Sequence, residues 1–323
     1  MNRRILEKVK IPEAIRVPFL GGKIYQYLSK KENGLIQTEC ISENALNSEK
    51  RTEKVIASMT SFPARIEYVH IALKSLMTQS YKPDRIILWL AEEQFPEHHL
   101  PQQLLELRNY GLEINWCEDL YGHKKYYYCL LYQQPDEVII TFDDDIIYPV
   151  DAIKRLIDKH IQYPNCIVCE RAQAIDYKKD GTLKNPGRWK TISEIGCKQP
   201  SYSLNPSPGG GCLIPYNGFY KDAKNTKKIR DLAYKNDDLW YMFMAAENGT
   251  RTVKTQKYHK PFSLISESQT VQMATENVVG NRNQIIMDRL RKEDPVAYER
   301  IYYNTKNEKI LNKFLQLAHS YVR

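Results

Sequence analysis

From Val55 onward, short apolar runs alternate with amphipathic stretches. Val55 to Met59, Arg85 to Leu90, Leu112 to Trp116 and Glu137 to Phe142 are short and rich in Val, Ile and Leu, which predicts strands. Between the first two, Ile66, Val69, Leu73, Leu76 and Met77 fall at helical spacing, so residues 66–79 are predicted as a helix; 101–110 and 124–132 read the same way. After Pro149 a helix over 151–162 and a strand over 166–170 continue the alternation. Strands joined by helices imply an α/β fold with a mostly parallel sheet flanked by helices.

The pattern then changes. Residues 176–211 are rich in Gly, Pro, Ser, Lys and Asn and include Pro208-Gly209-Gly210-Gly211, a loop of a length that compact domains usually keep for function. Asn236 can cap a helix over 237–247, and the tail from residue 283 reads as helical, with Ile310, Leu311, Phe314, Leu315, Ala318 and Tyr321 on one stripe. These shifts divide the chain into a basic N-terminal extension (1–51), a catalytic domain (52–265) and a helical C-terminal extension (266–323).

The chain has 323 residues, 42% of them apolar and 27% charged, enough for one large domain with appendages. The 23 tyrosines suit either a dense core or carbohydrate-stacking surfaces. No apolar run approaches the roughly 20 residues of a membrane span, and the N-terminus has no secretory leader pattern, so a cytoplasmic protein is expected. Seven scattered cysteines read as free thiols, and Cys166 and Cys169, at redox or metal spacing but with no second pair, as strand residues. The net charge of +8 is concentrated: residues 1–31 hold eight basic residues against two acidic, a net +6. That terminal location argues against a nucleic-acid groove. Interleaved with Ile5, Leu6, Val9, Ile15, Phe19 and Leu20, it reads either as a segment lying on an anionic membrane surface, peripheral at its inner face, or as a basic tail packed on the domain.

The strongest chemical signal is Val138-Ile139-Ile140-Thr141-Phe142-Asp143-Asp144-Asp145, an apolar strand delivering three carboxylates at its carboxyl end, where open α/β sheets bind ligands. Three adjacent carboxylates repel, and a divalent cation would neutralise them; oxygen ligands select Mn or Mg. If strand geometry continues, Asp143 and Asp145 share one side and Asp144 faces away. The competing reading is an acidic turn leading into a helix. Lys124 and Lys125, opening the helix after Gly122-His123, offer charge to an anionic ligand, or form a solvated basic turn. Asp237 and Asp238 open a later helix: two neighbouring carboxylates can raise one pKa and make a base, or they can simply stabilise a helix N-terminus.

Phe142-Asp143-Asp144-Asp145 resembles the Asp-any-Asp motif of GT-A glycosyltransferases, and Val55 to about Pro261, about two thirds of the chain, resembles family 2-like bacterial enzymes of surface polysaccharide and capsule synthesis. The resemblance implies a metal-dependent transferase that moves a sugar from a nucleotide-sugar donor, first of all a UDP-sugar, to a glycan or lipid-linked glycan, with inversion. It places Asp143 near the donor ribose and the metal, Asp145 on the metal, and Asp144 among the donor contacts. Thr60, Phe62 and Arg65, after the first strand, would hold the base and the diphosphate, or be no more than a loop into a helix. His259 would be a late metal ligand, and Gly210 would line the donor-sugar pocket. The acidic pair supplies the base, Asp238, with Asp237 as its neighbour. Trp189 and Trp240 are candidate sugar platforms or core residues.

A nucleotidyltransferase acting on sugar phosphates would share sheet, metal and nucleotide, but would want a Gly-rich basic loop where Ser61-Phe62-Pro63-Ala64-Arg65 has no glycine. An aspartyl-nucleophile phosphatase would want a small hydroxyl residue where Ile146 and Ile147 stand. A non-enzymatic glycan-binding protein is the alternative from outside catalysis.

Overall fold

Both faces of a parallel strand are covered by helices, so its residues are apolar almost without alternation. That is the pattern of β1 (Lys54–Thr60), where Val55 to Met59 are all buried, and of β4 (Glu137–Phe142), where Val138 to Phe142 are. The computed structural model describes residues 45–178, 182–190, 193–256, 262–265 and 282–307, with the single positions 31, 34, 36, 41 and 268. The predicted fold class is found: a mostly parallel seven-stranded sheet flanked by helices.

The chain forms two compact units. In the first, β4, β1, β2 (Arg85–Ala91) and β3 (Leu112–Cys117) lie side by side in that order, all parallel. Register pairs Met59 with Phe142 and Thr60 with Trp89, so β1 and β4 end at the same edge. Helix α1 (Val69–Met77) buries Val69, Ile71, Ala72, Leu73, Leu76 and Met77, and α2 (Gln102–Glu106) continues as a 3-10 turn that stops at Gly111, φ +96°. Helix α3 (Lys124–Tyr132) precedes β4. The short β5 (Ile146–Ile147) pairs antiparallel with β11 (Ser263–Leu264).

Helix α4 (Ala152–Gln162) leads toward the second unit, where β6 (Ile167–Cys169) pairs parallel with β10 (Thr252–Lys254) and antiparallel with β9 (Gly210–Ile214). The segment expected as one long loop is partly ordered by backbone pairing: β7 (Ala172–Ala174) pairs with β8 (Leu204–Pro206), and bridges join Ala174 to Lys190 and Tyr177 to Leu183. Helix α5 (Asp237–Glu247) starts where its Asn236 cap accepts a hydrogen bond from the Leu239 N–H at 3.0 Å. Helix α6 (Arg282–Glu293) and a helix over 295–307 form the described part of the tail; the stripe from Ile310 to Tyr321 lies outside the described residues. Cys169 is a buried β6 residue, and the six described cysteines are free. Trp189 and Trp240 are buried, and so are not the open platforms the sequence admitted. No described helix is long and apolar enough to cross a membrane.

Candidate active site

β4 ends at Phe142, and Asp143 to Asp145 form a turn rather than a continuing strand. The side-chain directions of an extended strand do not apply to a turn. Asp144 is the buried member, at 7% side-chain exposure, against 16% for Asp145 and 37% for Asp143. The turn is fixed from three sides. Asp143 donates its N–H to the hydroxyl of the fully buried Tyr148 at 2.7 Å, and the Asp145 carbonyl accepts from the Ile265 N–H at 2.9 Å beside β11. The Asp144 carboxylate accepts from the Ser61 hydroxyl at 2.6 Å and from Arg65 at 2.7 Å.

Because β1 and β4 are neighbours ending at one edge, the loop after β1 reaches this turn directly. One Arg65 nitrogen lies 2.7 Å from Asp144 and 3.0 Å from Asp145, and Lys125 donates to Asp143 at 2.6 Å. The cation that three carboxylates require is thus supplied in part by the protein, leaving one negative charge in excess among these five side chains. Burial opposes charge on Arg65, but the three carboxylates more than offset it and hold the guanidinium above its ordinary pKa. For Asp144, burial outweighs the help of Arg65 and Ser61, and Asp143 adds repulsion, so its carboxyl lies above the ordinary range.

The other first-unit candidates are placed as follows. Thr60 donates its hydroxyl to the Trp89 carbonyl at 2.8 Å, and Phe62 is half-buried with its ring centroid 5.5 Å from the Arg65 guanidinium carbon. Lys124 is buried and paired with Asp119, not with the acidic turn. Asp143 and Asp145 are the two carboxylates of the triplet not sealed inside. Mn or Mg commonly takes one or two protein carboxylates and completes its shell with water and substrate phosphate. These two residues offer such carboxylates, each already paired with a protein cation, and no cluster of three or more His, Cys, Asp or Glu among the described residues could hold a metal by itself. His259 lies outside the described residues.

In the second unit Gly210 is the buried first residue of β9; a Cβ there would stand 3.0 Å from the Arg171 Cβ and 3.2 Å from the Ser207 carbonyl oxygen. Asp237 and Asp238 occupy the first turn of α5, where the helix dipole favours them. Asp237 packs on Gly122: a Cβ at that glycine would lie 2.7 Å from the Asp237 Cγ. Beside Gly122, Tyr121 holds a left-handed backbone, φ +48°, and packs edge-on against Tyr234 at 4.7 Å, with Lys235 5.2 Å from its ring. A non-glycine residue rarely adopts that conformation. Both tyrosines are half-buried. Sequence reasoning missed Tyr148, whose hydroxyl receives the Asp143 N–H and which carried no signal of it.

No protein-family model and no curated protein matches the chain by sequence. Among solved structures it is similar to a 4-diphosphocytidyl-2C-methyl-D-erythritol synthase from Anaerococcus prevotii, with a TM-score of 0.41 and 12% identity over 72% of this chain and 99% of that one. It is also similar to a mannosyltransferase from Pyrobaculum calidifontis in complex with GDP-Man and Mn2+, with a TM-score of 0.43 and 10% identity over 87% of this chain and 78% of that one. At these values the likeness concerns the path of the chain and carries nothing about activity.

Proposed function

We propose that this protein is a glycosyltransferase of the GT-A kind, transferring a sugar from a nucleotide-sugar donor to a glycan or lipid-linked glycan of a bacterial surface polysaccharide. The observation that carries this reading is the acidic turn at the carboxyl end of β4, gripped by Arg65 and Ser61 from the loop after β1 and by Lys125 from α3. Arg65 and Lys125 leave the acidic triplet with one negative charge in excess, so an anionic diphosphate at this strand end would need a bound cation as well. Asp145 and Asp143 would hold a Mn or Mg ion, which when bound supplies positive charge to the leaving diphosphate. Thr60 and Phe62 are assigned to the base, and Asp144 holds Arg65 in place from within. Asp238 is assigned the removal of the acceptor hydroxyl proton, with Asp237 as its neighbour, as single-displacement inversion requires. Gly210 is kept as a donor-sugar contact.

Calorimetric titration of UDP and GDP into the protein, with Mn and with chelator, tests the reading. Binding that needs Mn and disappears in Asp145→Ala is expected, followed by hydrolysis of at least one member of a nucleotide-sugar panel. Equal binding in excess chelator would overturn the metal, and an inert panel would overturn the transferase.

A further inference from the structure

Within the second unit, Lys178, Thr182, Leu183 and Lys184 line a hollow of about 260 Å³ together with residues of the tail helices. Its floor is apolar: Leu183, Met287 and Tyr298 are buried, and the Tyr298 hydroxyl accepts from the Leu183 N–H at 3.4 Å. Its rim is cationic. Lys178, Lys184 and Arg291 line it against one carboxylate, Asp288, which is itself engaged by Gln284 at 3.0 Å. Lys184 is bound to Asp176 at 2.7 Å, but Lys178 and Arg291 have no carboxylate partner among the described residues, and Arg291 stands 4.8 Å over the Tyr298 ring.

An apolar floor suits the carbon face of a sugar, and cations with no carboxylate partner among the described residues suit an anion on it. The volume is below the roughly 300–1,000 Å³ of pockets that hold drug-sized molecules, which favours a single sugar unit. The hollow is also tied to the candidate base. Asn283, next to Gln284, accepts a hydrogen bond at 2.6 Å from Asn236, the cap of the helix that begins with Asp237 and Asp238.

We propose that this hollow binds an anionic sugar, one bearing a carboxylate or a phosphate, as part of the acceptor. This rests on the transferase reading, in which Asp238 serves the acceptor.

The test is titration of the full chain, followed by ligand-observed NMR, with glucuronic acid, glucose 6-phosphate, glucose and inorganic phosphate. Saturable binding of glucuronic acid or of glucose 6-phosphate is expected, with none of glucose, and the better ligand identifies the anion. In the double variant Lys178→Gln/Arg291→Gln, whose side chains are exposed, affinity should fall about tenfold or more with the melting temperature unchanged, since one lost charge-assisted hydrogen bond already costs about that much. Glucose binding as well as its charged relatives, or undiminished binding by the double variant, would overturn the site. Inorganic phosphate binding as tightly as glucose 6-phosphate would overturn the sugar. UDP release from donor, measured separately, keeps the two readings apart. If donor turns over and no charged sugar binds, the hollow alone is withdrawn; if charged sugars bind and no donor turns over, the acceptor role is withdrawn.

Discussion

At the scale of single residues, the acidic turn and Gly122 separate chemistry from scaffolding. Arg65 is the shared counter-charge of Asp144 and Asp145, and all three side chains are largely withdrawn from water. Removing one member of a buried ion pair leaves the other uncompensated, at a cost of about 3–5 kcal/mol. Arg65→Met should therefore lower the unfolding free energy obtained from urea melts by an amount in that range, whereas Lys54→Met, which breaks an exposed pair with Asp136, should leave it nearly unchanged. Similar losses in the two variants would show that the turn does not depend on Arg65. Gly122 is different, because the three atoms nearest a methyl group there all belong to the Asp237 carboxylate, at 2.7–2.8 Å. Gly122→Ala should leave the thermal midpoint nearly unchanged while transfer falls on the order of 100-fold, the effect of displacing the neighbour of the proposed base by about an ångström. A normal rate in this variant would remove Asp237 from the proposed chemistry. The carboxylates, Arg65 and Lys125 stood out in the sequence as charge in an apolar context, but their pairing with one another did not. Nor did Tyr148, since a tyrosine among Ile-Ile-Tyr-Pro looks like core until its hydroxyl is seen receiving the Asp143 N–H.

Elements were legible where their ends carry chemical marks. Helix α5 begins where Asn236 caps it, α3 begins after Gly122-His123, and β4 ends where the carboxylates begin. Helix α1 begins at Val69 instead of residue 66, because the chain after Pro63 makes successive turns, Arg65 N–H to the Phe62 carbonyl and Tyr68 N–H to the Arg65 carbonyl. β9 begins Gly210-Gly211 and β10 has three residues, and runs so short or so rich in glycine show no period. The junction between α5 and the tail was also invisible. There Asp294 meets Glu247, the last residue of α5, and caps the next helix by accepting from the Ala297 N–H at 3.2 Å; Arg300 donates to the Glu247 carbonyl at 3.0 Å. Burial, with the Glu247 carboxyl beside it, raises the Asp294 pKa to about 7. A carboxyl raised on folding stabilises the fold below its unfolded pKa of about 4, and that contribution is lost as pH rises through its folded value. Relative to Asp294→Asn, the wild-type protein should therefore lose stability between about pH 4 and pH 7 and level off above. Urea melts of both proteins at three pH values would measure this difference, and parallel profiles would place the proton elsewhere.

On the scale of the whole molecule, charge is distributed as unevenly as the chemistry. Residues 1–31 hold +6 of the formal +8, and all of them but Lys31 lie outside the described residues. A basic residue near an anionic bilayer contributes about 1 kcal/mol, and the attraction fades within a Debye length of about 8 Å at physiological salt. Four of the eight basic residues, Arg3, Arg4, Lys8 and Lys10, alternate with Ile5, Leu6 and Val9, so charge and apolar surface could act on the membrane together. If the segment is an anchor for an enzyme with a lipid-linked acceptor, full-length protein should sediment with vesicles rich in phosphatidylserine and not with neutral ones, and raising salt to about 0.5 M should release most of it. Changing Arg3, Arg4, Lys8 and Lys10 to Gln in the full chain should abolish sedimentation while leaving the melting temperature in place. If the substituted protein still sediments, the membrane role fails; if it is released but also melts earlier, the basic tail is packed on the domain, and its charges serve the fold.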